Sequence, residues 1–211
     1  MSVQTLIDTA RRMHAGGLSA GSTGNLSLRT AKGMLISSSG SRLESLNTAQ
    51  VVAIALNGDL EPGQAAAPSS EWSLHAAIYR ARADVGAIVH CHSRYATALA
   101  CCRRGIPAFH YMLEALGGPM ACSDYALFGT PALATATVAA LGQRQACLLA
   151  NHGQVAVGKN SEEALQNAQL LEELAAQYWA SLAIGGPVLL DDEQMSDVAK
   201  RFESYGDRSK P

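Results

Sequence analysis

Three histidines and one glutamate carry the residue types that could do chemistry. His90 and His92 lie in the apolar run Gly86-Ala87-Ile88-Val89-His90-Cys91-His92. In an extended strand, side chains two apart share a face, so both imidazoles can reach one point while Cys91 faces away. His152 lies in a second apolar run, Cys147-Leu148-Leu149-Ala150-Asn151-His152-Gly153. An imidazole supplied from a neighbouring strand would complete a three-nitrogen metal site with one open position, the pattern of a catalytic rather than a structural zinc. A single core histidine is more often structural, but two on one face of an apolar strand both need polar partners. Glu71 stands at the start of an amphipathic stretch before the pair. Alone it reads as the negative charge that suits a first helical turn. Beside a divalent cation it could ligate the metal and move a proton at a carbon acid. The chemistry expected is metal-assisted and directed at a small polar substrate.

A second constellation consists of hydroxyl and glycine residues at element ends: Gly21-Ser22-Thr23-Gly24-Asn25, Ser37-Ser38-Ser39-Gly40-Ser41 and Ser69-Ser70. Free N–H groups, hydroxyls and close backbone approach can cradle a phosphate with few cationic side chains. Each segment alone also reads as an ordinary turn or cap, and none matches a P-loop or a dinucleotide fingerprint. His75 lies one helical turn from Glu71 but on the apolar stripe, so core packing is expected of it. Cys101 and Cys102 are expected in the core.

The elements that must position these residues follow from periodicity. Helices are expected over Val3–Ala15, Glu71–Ala83 capped by Ser70, a stretch after a Ser93 cap, Pro131–Leu141, Ser161–Ala183 and Asp191–Tyr205. The stripe Leu165, Ala168, Leu171, Leu174, Ala175, Tyr178, Trp179 and Leu182 makes Ser161–Ala183 the clearest of them. Strands are expected over Asn25–Arg29, Met34–Ser37, Val51–Leu56 and Val85–His92, with two extended pieces in Ala146–Val157 and a strand-like Ala108–Leu113. Asn57-Gly58 signals a hairpin. The alternation, with hairpins early in the chain, points to helices on both sides of a mixed, largely antiparallel sheet. No internal repeat or linker-like segment interrupts it, so one domain over 1–211 is expected.

The chain has 211 residues, 48% hydrophobic and 16% charged, with a formal net charge of −2. That balance leaves no electrostatic footprint for nucleic acid or a membrane surface. The apolar runs are too short to span a bilayer, and the N-terminus lacks signal-peptide character. Five scattered cysteines without CxxC spacing suit reduced, buried thiols in a cytoplasm.

Several motifs in order resemble the class II aldolase/adducin family, from about Thr5 to about Gly206. They are Gly24-Asn25-Leu26-Ser27-Leu28-Arg29, Pro68-Ser69-Ser70-Glu71-Trp72, Val89-His90-Cys91-His92-Ser93, Ala108-Phe109-His110-Tyr111-Met112, Tyr125-Ala126-Leu127-Phe128-Gly129-Thr130 and Asn151-His152-Gly153. The fuculose-phosphate aldolase branch is the most similar. The resemblance implies a three-layer αβα sandwich and a homotetramer with sites at subunit interfaces. It implies metal binding by His90, His92 and His152, usually of zinc, with manganese and cobalt as other candidates. Glu71 would be both catalytic and a metal ligand. Ser22, Gly24, Asn25, Ser39, Gly40, Ser69 and Ser70 would hold the substrate phosphate. Tyr111, from a neighbouring subunit, and the C-terminal Tyr205 would serve the aldehyde side. The implied reaction is reversible cleavage of a ketose 1-phosphate to dihydroxyacetone phosphate and an aldehyde through a metal-stabilised enediolate. Ser22 and the Ser38-Ser39-Gly40-Ser41 loop depart from the threonines common in the aldolases but keep a hydroxyl. Asn151 before His152 is a further departure. Relatives with the same metal site act as methylthioribulose-phosphate dehydratases, ribulose-phosphate 4-epimerases or sugar-acid phosphate decarboxylases. Adducin-like members are interaction modules expected to lack the metal histidines.

Overall fold

A computed structural model describes residues 2–204 of the chain. Six strands form one sheet: β1 (Asn25–Thr30), β2 (Gly33–Ser37), β3 (Val51–Ile54), β4 (Ala87–Cys91), β5 (Ala146–Leu149) and β6 (Gly153–Gly158). Their spatial order is β3-β2-β1-β4-β6-β5, and every adjacent pair runs antiparallel. The helices are α1 (Val3–Ala15), α2 (Trp72–Ala81), α3 (Arg94–Cys101), α4 (Pro131–Leu141), α5 (Ser161–Ala183) and α6 (Asp192–Ser204).

Alternation along the strands sorts the interior into two cores. Leu26 and Leu28 of β1, with Ala87, Val89 and Cys91 of β4, pack on one face with Leu6 and Met13 of α1 and Leu165, Leu171 and Leu174 of α5. Ile36 of β2, Ile88 of β4, and Val155 and Val157 of β6 pack on the other with Leu74 and Ile78 of α2 and Leu133 of α4. The sheet is therefore the middle of three layers. Each fully buried leucine or isoleucine contributes about 1.5–3 kcal/mol, so the faces of α2 and α5 fix how the sheet is covered.

Alternation also assigns the polar residues. Asn25 and Ser27 of β1 and His90 of β4 point to the α2 side, because their neighbours Leu26, Leu28, Val89 and Cys91 serve the other core. Asn25 lies directly opposite His90 in the β1–β4 ladder.

Several expectations are corrected. Ala108–Leu113 is not a strand: Tyr111–Leu116 forms a 3-10 helix, with the His110 ring accepting the Met112 N–H at 3.1 Å. Leu113 and Leu116 are its buried residues, three apart as a 3-10 period requires. Glu71, not Ser70, occupies the N-cap of α2, and it makes no side-chain cap bond. Ser93 sits at the N-cap of α3 but donates its hydroxyl to Glu172 of α5 instead. The Glu172 carboxylate accepts the Tyr95 and Ala96 N–H groups, so a neighbouring helix caps this one. Trp179 is half exposed, at 51%, and Cys101 and Cys102 are exposed. Tyr205 lies outside the described residues. Among those described, no helix is long and apolar enough to cross a membrane.

Candidate active site

Both histidines of the pair stand at the C-terminal end of β4. His90 occupies its penultimate position and is fully buried; His92 follows just after the strand ends at Cys91. Their Nε2 atoms are 3.1 Å apart. His152 arrives on the tight turn between β5 and β6. Because β6 pairs with β4, with Gln154 opposite Cys91, that turn lies beside the end of β4. One potential ligand atom from each of the three histidines falls within 4.8 Å of the others.

Two glycines permit this convergence. A Cβ on Gly153 would lie 2.5 Å from the Cys91 carbonyl and 3.0 Å from the His92 ring, so only glycine lets the His152 turn approach β4. Gly24 has φ +78°, and a Cβ there would lie 2.7 Å from the His90 carbonyl. It allows the loop before β1 to press against the strand that carries His90.

Glu71 completes the cluster from the start of α2. Its Oε2 is 3.1 Å from His90 Nε2 and accepts the Asn25 amide at 2.8 Å; its Oε1 is 3.3 Å from His152 Nε2. Burial by itself would push the Glu71 carboxyl up. The facing imidazoles of His90 and His152 and the Asn25 amide outweigh it and hold the group well below the usual carboxylate range. Burial disfavours a charged His90 ring, but the Glu71 carboxylate reverses that and raises it. Burial, reinforced by the neighbouring His90, holds His92 and His152 down at about 4.

The donor set fits a divalent cation. His90 Nδ1 lies 2.9 Å from the Gln154 carbonyl, which can only accept, so Nδ1 carries a proton and Nε2 is left to ligate. Glu71 Oε1 is buried without a hydrogen-bond partner. Three imidazoles and one carboxylate form a set suited to zinc and to other first-row metals.

Above this cluster opens a cavity of about 350 Å³. Glu71, His92 and His152 line its floor. All the residues expected at a phosphate line it too: Ser22 and Gly24 from the loop before β1, Asn25 at the start of β1, Ser39 and Gly40 after β2, and Ser69 and Ser70 before α2. The last two loops are tied together by Ser39 N–H to Ala67 O (3.0 Å) and Ser69 N–H to Ser37 O (3.1 Å). Thr23 and Ser38 add hydroxyls to this wall. Sequence reasoning noted them in the same clusters without selecting them.

The lining also includes a largely apolar stretch, Tyr125, Ala126, Leu127 and Phe128, and Asn151. Tyr125, Leu127 and Phe128 are more than half exposed. Tyr111 is not brought to the cavity of its own chain: half exposed, it stacks on His110 and Phe202.

Residues 4–179 match the family described as "Class II Aldolase and Adducin N-terminal domain". The chain belongs to the class II aldolase and adducin family. It is 43% identical over 205 residues to a 5-methylthioribulose-1-phosphate/5-deoxyribulose-1-phosphate aldolase of Rhodospirillum rubrum, covering 97% of this chain and 92% of that one. It is equally 43% identical, over 203 residues, to the L-fuculose phosphate aldolase of Escherichia coli strain K12, covering 95% and 94%. A solved L-fuculose 1-phosphate aldolase superposes with a TM-score of 0.91 at 36% identity, covering 95% of each chain. The three-layer αβα arrangement expected from sequence is thus the fold of this family. Class II aldolases are metal-dependent enzymes, and the histidine cluster of this member is equipped to hold the metal.

Proposed function

We propose that this class II aldolase reversibly cleaves a ketose 1-phosphate to dihydroxyacetone phosphate and a short aldehyde. The observation that supports this reading best is the lining of one cavity: hydroxyl groups for phosphate, Glu71 with His92 and His152 of the three-histidine cluster, and an apolar stretch. His90, His92 and His152 would hold the cation, with Glu71 as the fourth ligand until substrate displaces it. Zinc is the expected metal, with manganese and cobalt as substitutes that imidazoles also accept. When bound, the cation supplies Lewis acidity that polarises the substrate C2 carbonyl and offsets negative charge on its oxygens.

The protein side chains do the rest. Ser22, Asn25, Ser39, Ser69 and Ser70, with the backbone at Gly24 and Gly40, fix the phosphate and so the register of the carbon chain. In cleavage, a base takes the C4 hydroxyl proton, the C3–C4 bond breaks, and its electron pair stays with the C3 fragment. Glu71 delivers a proton to C3; in condensation it removes one. Tyr111 of a neighbouring subunit and Tyr205 serve the aldehyde oxygen. An exposed Tyr111 remote from its own cavity suits a homotetramer with sites at subunit interfaces, each chain one domain over 1–211, working in the cytoplasm.

The relatives' names divide between methylated and methylthio-substituted sugars, and the Tyr125–Phe128 wall offers largely apolar side chains to either tail. The test is cleavage of 5-deoxyribulose 1-phosphate, 5-methylthioribulose 1-phosphate and L-fuculose 1-phosphate, read by release of dihydroxyacetone phosphate. Release from at least one is expected. Consumption of substrate without that product would overturn the reading.

A further inference from the structure

His75, which its sequence position assigns to the helix core, has both ring nitrogens engaged in a buried polar chain. Tyr79 Oη is 2.8 Å from Ser27 Oγ, and Ser27 Oγ is 2.7 Å from His75 Nδ1. His75 Nε2 is 2.6 Å from Asn25 Oδ1, and Asn25 Nδ2 is 2.8 Å from Glu71 Oε2. All five residues are at most 6% exposed, and the chain crosses from α2 to β1 and back to the head of α2.

From Glu71 to His75 the hydrogen bonds have only one consistent direction. An ionised Glu71 can only accept, so Asn25 must present its NH2 to it and its carbonyl to His75. His75 Nε2 must then carry a proton. A neutral ring with Nε2–H has a bare Nδ1, which accepts from the Ser27 hydroxyl, and Ser27 in turn accepts from Tyr79.

We propose that His75 is a positioning residue for the reaction: its Nε2–H locks the Asn25 carboxamide in the orientation that donates to Glu71. Without that lock the amide can turn over and set its carbonyl against the carboxylate. The same lock keeps the second N–H of Asn25 as the donor it offers to a substrate anion in the cavity. Residues behind a catalytic group typically matter by about 10–100-fold. The assignment rests on Glu71 acting as the proton carrier, as proposed above.

The test uses zinc-loaded protein with 15N-labelled histidine, and His75→Gln to assign the His75 signals. Long-range 1H–15N correlation should show a protonated Nε2 and a bare Nδ1 at His75 from pH 5.5 to 8. A bare Nε2, with the proton on Nδ1, would overturn the proposal, whatever the enzyme's activity. Kinetics then separate positioning from packing. His75→Phe, which fills the space without donating, should lower the rate of solvent deuterium exchange into dihydroxyacetone phosphate by about tenfold or more with zinc content unchanged. His75→Gln, which can donate where Nε2 does, should recover most of that rate. Equal loss in both variants, or none in either, contradicts the assignment; should His75→Phe not fold, the comparison of His75→Gln with wild type and the tautomer still decide it. Absence of exchange in the wild type would instead count against the functional reading.

Discussion

The two walls of the cavity are built on different principles. The floor and the hydroxyl wall rest on strand ends, helix starts and two glycines, and their charged groups are buried and mutually bonded within one chain. The apolar wall is a loop whose Tyr125, Leu127 and Phe128 are more than half exposed, with Tyr111 exposed elsewhere on the surface. In the first region the strand residues are fixed by backbone pairing, as Asn25 is opposite His90. The second presents large side chains mostly to solvent. The contrast separates the proton and metal chemistry, which all substrates share, from the selection among them.

If that division holds, perturbing the floor should abolish function and perturbing the rim should only redirect it. The largest effect is expected from His92→Ala, which removes one of three nitrogens at a fully assembled site. Metal content after gel filtration should fall to background, together with cleavage of every substrate. Retained stoichiometric metal would mean that the cluster is not the metal site.

A smaller effect is expected at the rim. Phe128→Ala removes apolar area from the wall facing the aldehyde, a change worth about 10–200-fold in discrimination where a pocket fills well, and less at a half-open one. The kcat/KM ratio between the methylthio and the methyl substrate should shift, while deuterium exchange into dihydroxyacetone phosphate changes much less. A loss of exchange as large as the loss of cleavage would erase the distinction between the two walls.

The smallest effect concerns the stability of the floor. His75 is held down at about 3, and His92 and His152 at about 4, all below the ordinary 6.5. The unfolded chain therefore binds protons that the folded chain refuses between about 6.5 and 4. Stability should rise with pH across that window and be lost as pH falls through it. Urea unfolding of chelated protein from pH 7 to 4 reads this directly, and His75→Gln should flatten the slope. An unchanged slope in that variant would show that His75 is not held neutral in the fold.

Much of the floor was legible in the sequence because its signals are local. Period-two spacing placed His90 and His92 on one face, and hydroxyl and glycine clusters marked loops that do line the cavity. The early hairpins foretold an antiparallel sheet. Other features depend on non-local pairing. Asn25 joins Glu71 only through the register of β1 against β4, which no window of sequence reveals. His75 occupies a stripe position that serves packing and polar wiring equally, so spacing could not separate them. Glu172 caps α3 from another helix, where local rules named Ser93. Ala108–Leu113 reads as a strand, although Tyr111–Leu116 is a 3-10 helix, because a short apolar run is ambiguous between the two.

The central claim is that one cation held by His90, His92 and His152 works with Glu71 as the group that moves a proton at C3. The most direct measurement is NMR of solvent deuterium entering dihydroxyacetone phosphate, comparing zinc-loaded wild type, chelated wild type and zinc-loaded Glu71→Gln. The account predicts exchange in the first alone, with the Gln variant slower by about 10²–10⁴-fold while still binding zinc. Exchange that persists after chelation, or in Glu71→Gln at the wild-type rate, would contradict it.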